Sequence, residues 1–168
     1  MHGEGTNLKL AAAYWKLNLL DSYDLVRIAI EALEADTDTP SLRILAGENP
    51  RYSALGELDP MFEKALKELD INLPSFEQAF HQIIKQHAEQ IVAGTITPDE
   101  GVTLIWRATG LRGYYPEWLS DLMMKQSYYR YIAETVQNGN KQNEEARDQA
   151  AQDIIAEARK LIEMFDAD

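Results

Sequence analysis

PSFEQAFHQIIKQHAEQIVAGTITPDEGVTLIW, residues 74–106, carries the clearest helical period and the clearest punctuation in the chain. Phe76, Ala79, Phe80, Ile83, Ile84, Ala88, Ile91 and Val92 recur at spacings of three and four, which places them on one side of a helix and buries that side. Ser75 and Gln78 form S-x-x-Q, a capping box: the hydroxyl accepts from the amide three residues on, and the glutamine side chain reaches back to the Ser75 amide. Gly94 suits the left-handed residue just past a helix end. Thr97-Pro98-Asp99-Glu100 then supplies a cap, a proline at the first helical position and acids in the first turn. So short a connection sets the second helix antiparallel to the first or sharply across it, with Val102, Leu104, Ile105 and Trp106 meeting the Ile83 and Ile91 face. The expectation is an all-α fold around a central antiparallel helical hairpin.

The flanking sequence extends the same pattern. Leu10, Ala13, Tyr14, Leu17 and Leu20 mark a first helix, broken at Asn18 and re-capped at Asp21-Ser22. Leu25, Ile28, Ala29 and Leu33 mark a second, with Arg27 and Glu31 four apart on its wet side. The acidic run from Asp36 to Asp38 lacks the calcium-loop signature, since Ser41 stands at the sixth place and Gly47 at the twelfth, where Gly and a bidentate Glu are required. It reads as a linker and cap at Thr39-Pro40. A short helix from Ser41 to Ala46 closes at Gly47, and residues 47–58 read as the longest loop, with Arg51 and Tyr52 exposed for contact. Asp59-Pro60 restarts a helix carrying Met61, Phe62, Ala65, Leu66 and Leu69. Pro116 opens a helix to about Val136, with Trp118, Leu119, Leu122, Met123, Ile132 and Val136 inward. Asn138-Gly139-Asn140 ends it, and the last helix runs from about Asn143 to Phe165 with its second half docked. With no strand pattern and no fixed-period repeat, the expected architecture is one domain, residues 1–168, of seven or eight helices.

Composition bounds the function. At 168 residues and 45% apolar the chain is long enough to bury its own core. The absence of cysteine excludes disulfides, thiolate metal sites and cysteine nucleophiles, and favours a cytoplasmic setting. No apolar run approaches the roughly 18–20 residues of a membrane span, and MHGEGTNLKL lacks the basic start and apolar centre of a secretory signal. Sixteen basic against 28 acidic side chains give a formal charge of −12, which repels phosphate backbones and anionic lipid and favours a basic partner.

TPSLRILAG (39–47), FEKALKELDI (62–71) and IVAGTITPDEGVTLIW (91–106) together resemble a set of small bacterial helical proteins. Those combine a pSLreLAG turn, an F-x-x-AL-x-ELGI helix and an I-x-x-G-x-I-x-P-x-EG-x-x-x-IW hairpin. The likeness covers about the first two-thirds of the chain. It implies an all-helical fold and a bacterial cytoplasmic setting, and it implies no activity and no functional residue. Asp70 stands where the pattern has glycine, which weakens a left-handed turn there.

Catalytic patterns are sparse. His81 and His87 are six apart, about 240° around a helix, so they cannot share a metal from that helix alone. Glu77 and His81 share a side but supply only two ligands. Adjacent acids such as Asp99 and Glu100 arise by chance in so acidic a chain, and no nucleophile elbow, phosphate loop or H-E-x-x-H occurs. No catalytic residue, metal ligand or cofactor is assigned. The uneven stretch is Trp106 to Tyr131, which holds seven of the 15 aromatics and a local charge of +2 against −14 for the rest. Tyr, Trp and Arg are the residues of binding hot spots. The candidate binding residues are therefore Arg107, Arg112, Tyr114, Tyr115, Tyr128, Tyr129 and Arg130. Because Tyr128, Tyr129 and Tyr131 cannot all face one side of a helix, at least one reaches the surface. The functional expectation is an acidic helical protein-binding module for a basic partner, of immunity or antitoxin type. The alternatives are a self-assembling dimer and an enzyme assembled across the fold; neither nucleic acid nor membrane is an expected partner.

Overall fold

The computed structural model describes residues 7–110, 113, 116–138 and 143–166, and the described secondary structure is helical throughout. Eight helices follow in order: α1 Leu8–Lys16, α2 Ser22–Glu34, α3 Pro40–Gly47, α4 Leu55–Glu68, α5 Phe76–Ala93, α6 Pro98–Thr109, α7 Glu117–Gln137 and α8 Glu144–Asp166. They group into two compact units that part after Phe80, inside α5.

In the first unit α2 packs on α1, α3 and α4, and α3 packs on α4. The core is Leu25, Ala29, Leu42, Leu45, Leu58, Phe62 and Leu66, all sealed from solvent. Local chemistry sets the ends of these helices. Asp21 and Asp24 exchange side-chain and backbone hydrogen bonds in a capping box at α2. Thr39 caps α3, its Oγ1 accepting from the Leu42 amide at 3.2 Å with Pro40 in the first turn. The carboxylate of Glu68, at the end of α4, accepts from the Ser41 amide at 3.1 Å and the Ser41 hydroxyl at 2.8 Å, fastening the start of α3 to α4. Burial would raise the Glu68 pKa, but hydrogen bonds from Ser41 and Thr39 outweigh it and hold the group below its ordinary value.

Three expectations need correction in this unit. α4 does not start at Asp59-Pro60: it begins at Leu55, and Pro60 lies inside it. The loop ahead of it is correspondingly shorter, residues 48–54. Two interactions explain the shift. Leu58 is fully buried one turn before Phe62, so the core demands helix there. Asp59 is no cap either, because its Oδ1 accepts from Trp15 Nε1 at 2.7 Å, while Trp15 meets Phe62 edge-on at 5.9 Å. The left-handed turn weakened by Asp70 in place of glycine is nonetheless made, with φ of 54°, which Asx side chains tolerate better than other residues. Phe76, expected on the buried face, is 59% exposed at the first position of α5, with Lys16 Nζ 5.0 Å from its ring centroid. Helical period fixes the side a residue faces but not whether the core extends that far along the axis.

In the second unit α7 packs on α6 and α8, and α6 packs on α8. Ile83, Ile84, Ala88 and Ile91 of α5 are buried, as are Val102 and Ile105 of α6, Leu119, Leu122 and Ile132 of α7, and Ile154, Ala158 and Leu161 of α8. The expected punctuation is present. At the start of α5, still within the first unit, Ser75 Oγ accepts from the Gln78 amide at 3.1 Å while Gln78 Oε1 accepts from the Ser75 amide at 2.9 Å. Gly94 has φ of 71°, and Thr97 and Glu100 form a further capping box. Gly101 lies so close to Ile91 that an added Cβ would sit 2.2 Å from Ile91 Cγ1, so the glycine is what admits that isoleucine.

Candidate protein-binding surface

α7 carries two kinds of apolar residue. Leu119, Leu122 and Ile132 face inward, with Trp118, Met123 and Val136 half-buried beside them. On the side away from Leu119 and Leu122, Met124, Tyr128 and Tyr131 are 67%, 54% and 64% exposed. Their spacing of four and three stacks them along one outer face. Glu117 and Asp121 extend that face toward the start of the helix, and Glu134 flanks its far end; all three are exposed.

The inner polar contacts of α7 form a lock on α6. Gln126 is 2% exposed. Its Nε2 lies 2.8 Å from the Asp99 carbonyl oxygen, 3.0 Å from Asp99 Oδ1 and 2.9 Å from Thr103 Oγ1. Arg130, one turn on, donates through Nε and Nη2 to the two Asp99 carboxylate oxygens, and Nη2 also donates to Thr103 Oγ1 at 2.9 Å. This is the fork-to-fork geometry in which arginine binds carboxylate best. One residue before Gln126, Lys125 donates to Glu157 of α8 at 2.6 Å. That bond, opposed by burial and joined by Lys160, holds the Glu157 carboxyl below its ordinary pKa.

These pairs alter the electrostatics read from sequence. Lys125 and Arg130 are each held by an acid from outside residues 106–131, so the local excess of two positive charges is cancelled in the fold. Of the candidate binding residues, Arg107 is exposed in the last turn of α6, Tyr128 is exposed, Tyr129 is half-buried and Arg130 is committed to Asp99. Arg112, Tyr114 and Tyr115 lie outside the described residues. Met124 was not foreseen as a contact residue. Its signal was its place four before Tyr128 and seven before Tyr131, on the side away from Leu119 and Leu122.

A shallow apolar depression lies beside this face, lined by Trp106, Pro116, Leu119, Ser120 and Met123. Among the described residues no ionisable side chain lines it. His81 is half-buried with its ring stacked on Phe165 at 4.4 Å, His87 is buried, and Glu77 is exposed. Among the described residues no group of three or more His, Asp or Glu is placed to hold a metal ion, and no helix is long and apolar enough to cross a membrane.

The chain matches no protein-family model, no curated protein and no solved structure.

Proposed function

We propose that the protein is an acidic helical binding module of the bacterial cytoplasm that docks on a basic partner protein, in the manner of an immunity protein or antitoxin covering a cationic, nucleic-acid-directed site. The observation that carries this reading is the charge balance. With 28 acids and 16 bases, pairing every base still leaves 12 carboxylates without a cation. Arg27, Arg43, Lys67, Lys85, Lys125, Arg130 and Arg147 already hold acids of this chain. The free charge offered to a partner is thus negative, which steers a cationic surface toward it and repels polyanions.

A homodimer is the second reading, favoured by the exposed apolar stripe on α7 but opposed by bringing two such charges together. Purification of complexes from the native host tests the choice. The expected result is a basic partner whose affinity falls steeply with salt. Recovery of an acidic partner, or of the chain alone as a salt-resistant dimer, overturns the reading.

A further inference from the structure

We infer that the outer face of α7, the stripe Met124, Tyr128 and Tyr131 with Glu117, Asp121 and Glu134 at its ends, is the docking surface, and that its occupant is a cationic amphipathic helix of the partner. The inference rests on the functional reading above and specifies where and how the partner is held.

Three exposed apolar side chains on one helix face span seven residues, about 10 Å along the axis. That is the span over which a second helix presents its own residues at i, i+4 and i+7. Tyrosine brings large amphipathic area with few rotamers to freeze, and methionine adapts its shape to what it meets. The charges around the stripe choose among occupants. Glu117, Asp121 and Glu134 are exposed, whereas the two α7 cations, Lys125 and Arg130, are turned to Glu157 and Asp99 and do not offset them. An apolar strip bordered by carboxylates complements a helix with an apolar strip bordered by lysine or arginine. The same border disfavours anionic lipid, nucleic acid and a second copy of this chain.

The test uses the full chain and two synthetic peptides of about 18 residues, five helical turns. Both have the same lysine and leucine content; one places leucine on a single helix face and the other scatters it. Binding is read by fluorescence anisotropy at low and at physiological salt. The face-patterned peptide is expected to bind about tenfold tighter than the scattered one, and Tyr128→Ala with Tyr131→Ala is expected to remove about that factor, as truncating two aromatic anchors does. Met124→Ala is a milder second variant expected to weaken binding in the same direction. Ile44→Ala, which trims another exposed apolar residue, on α3, is expected to leave affinity unchanged.

Equal binding of the two peptides overturns the stripe while leaving the cationic-partner reading standing. Failure of the chain to bind either peptide at low salt overturns both. A wild-type dimer in light scattering that the tyrosine variants dissociate overturns the proposed occupant and assigns the face to self-association.

Discussion

Asp70 shows how a single backbone angle is tolerated at a cost. It follows the C-cap of α4 with φ of 54°, where a Cβ is disfavoured and where a carboxylate faces the negative end of the helix dipole. Replacing it by glycine relieves both effects, against the extra freedom glycine gives the unfolded chain. We expect Asp70→Gly to stabilise the protein by about 0.5 kcal/mol, seen as a higher denaturant midpoint at unchanged slope. A lower midpoint would mean that the Asp70 side chain holds the turn.

His87 is 7% exposed with Nδ1 at 3.0 Å from Gln90 Oε1, and burial lowers its pKa although the Gln90 contact opposes the shift. A base whose folded pKa is depressed binds its proton more readily when unfolded. Its penalty is absent above the ordinary value near 6.5 and grows as pH falls from there through the folded pKa. The wild type should therefore lose stability relative to His87→Gln between about pH 7.5 and 5, measured by thermal melts of both proteins. Parallel curves would show that the imidazole takes up its proton without cost in the fold.

At the scale of elements, Gly101 sets how closely α6 approaches Ile91. Alanine in mid-helix is favoured over glycine by about 1 kcal/mol on propensity, but its Cβ would lie 2.2 Å from Ile91 Cγ1 and 2.5 Å from Cδ1. Overpacking of a sealed site costs about 1–3 kcal/mol, and Ile91 is itself buried with little room to turn. Steric cost wins, so Gly101→Ala should lower the unfolding free energy by about 1 kcal/mol, whereas Gly56→Ala, with nothing near its Cβ, should not. Destabilisation of equal size at both positions would point to backbone conformation as the cause.

The helix ends were legible for the same reason that Gly101 is informative: local rules decide them. S-x-x-Q at Ser75, T-P-D-E at Thr97 and glycine at 94 each satisfy or end a helix with groups within a few residues. Asp59-Pro60 obeyed the same local rule and misled. There the burial of Leu58 and the Trp15 hydrogen bond, 44 residues away in sequence, extended α4 backward through a proline. The surface divides likewise. Exposure among Tyr128, Tyr129 and Tyr131 follows from helical geometry alone. The capture of Arg130 by Asp99, 31 residues earlier, depends on tertiary placement that no local pattern encodes.

For the whole molecule the deciding quantity is whether long-range repulsion among unbalanced acids outweighs the short-range ion pairs. The pairs are mostly exposed, as at Arg27–Glu31 and Lys67–Glu63, and each such pair contributes at most about 1 kcal/mol. Raising salt from about 0.01 M to about 1 M shortens the screening length from about 30 Å to about 3 Å, which erases repulsion across the surface and weakens contact pairs less. With a formal charge of −12, screening should therefore stabilise the fold. We expect Tm to rise by roughly 2–4 °C over that range, about 1 kcal/mol for a chain of this size. The same measurement bears on function, because only acids left without a cation can steer a basic partner. If Tm falls with salt instead, the carboxylates are locally balanced, the pairs dominate, and the electrostatic ground for a cationic partner is gone.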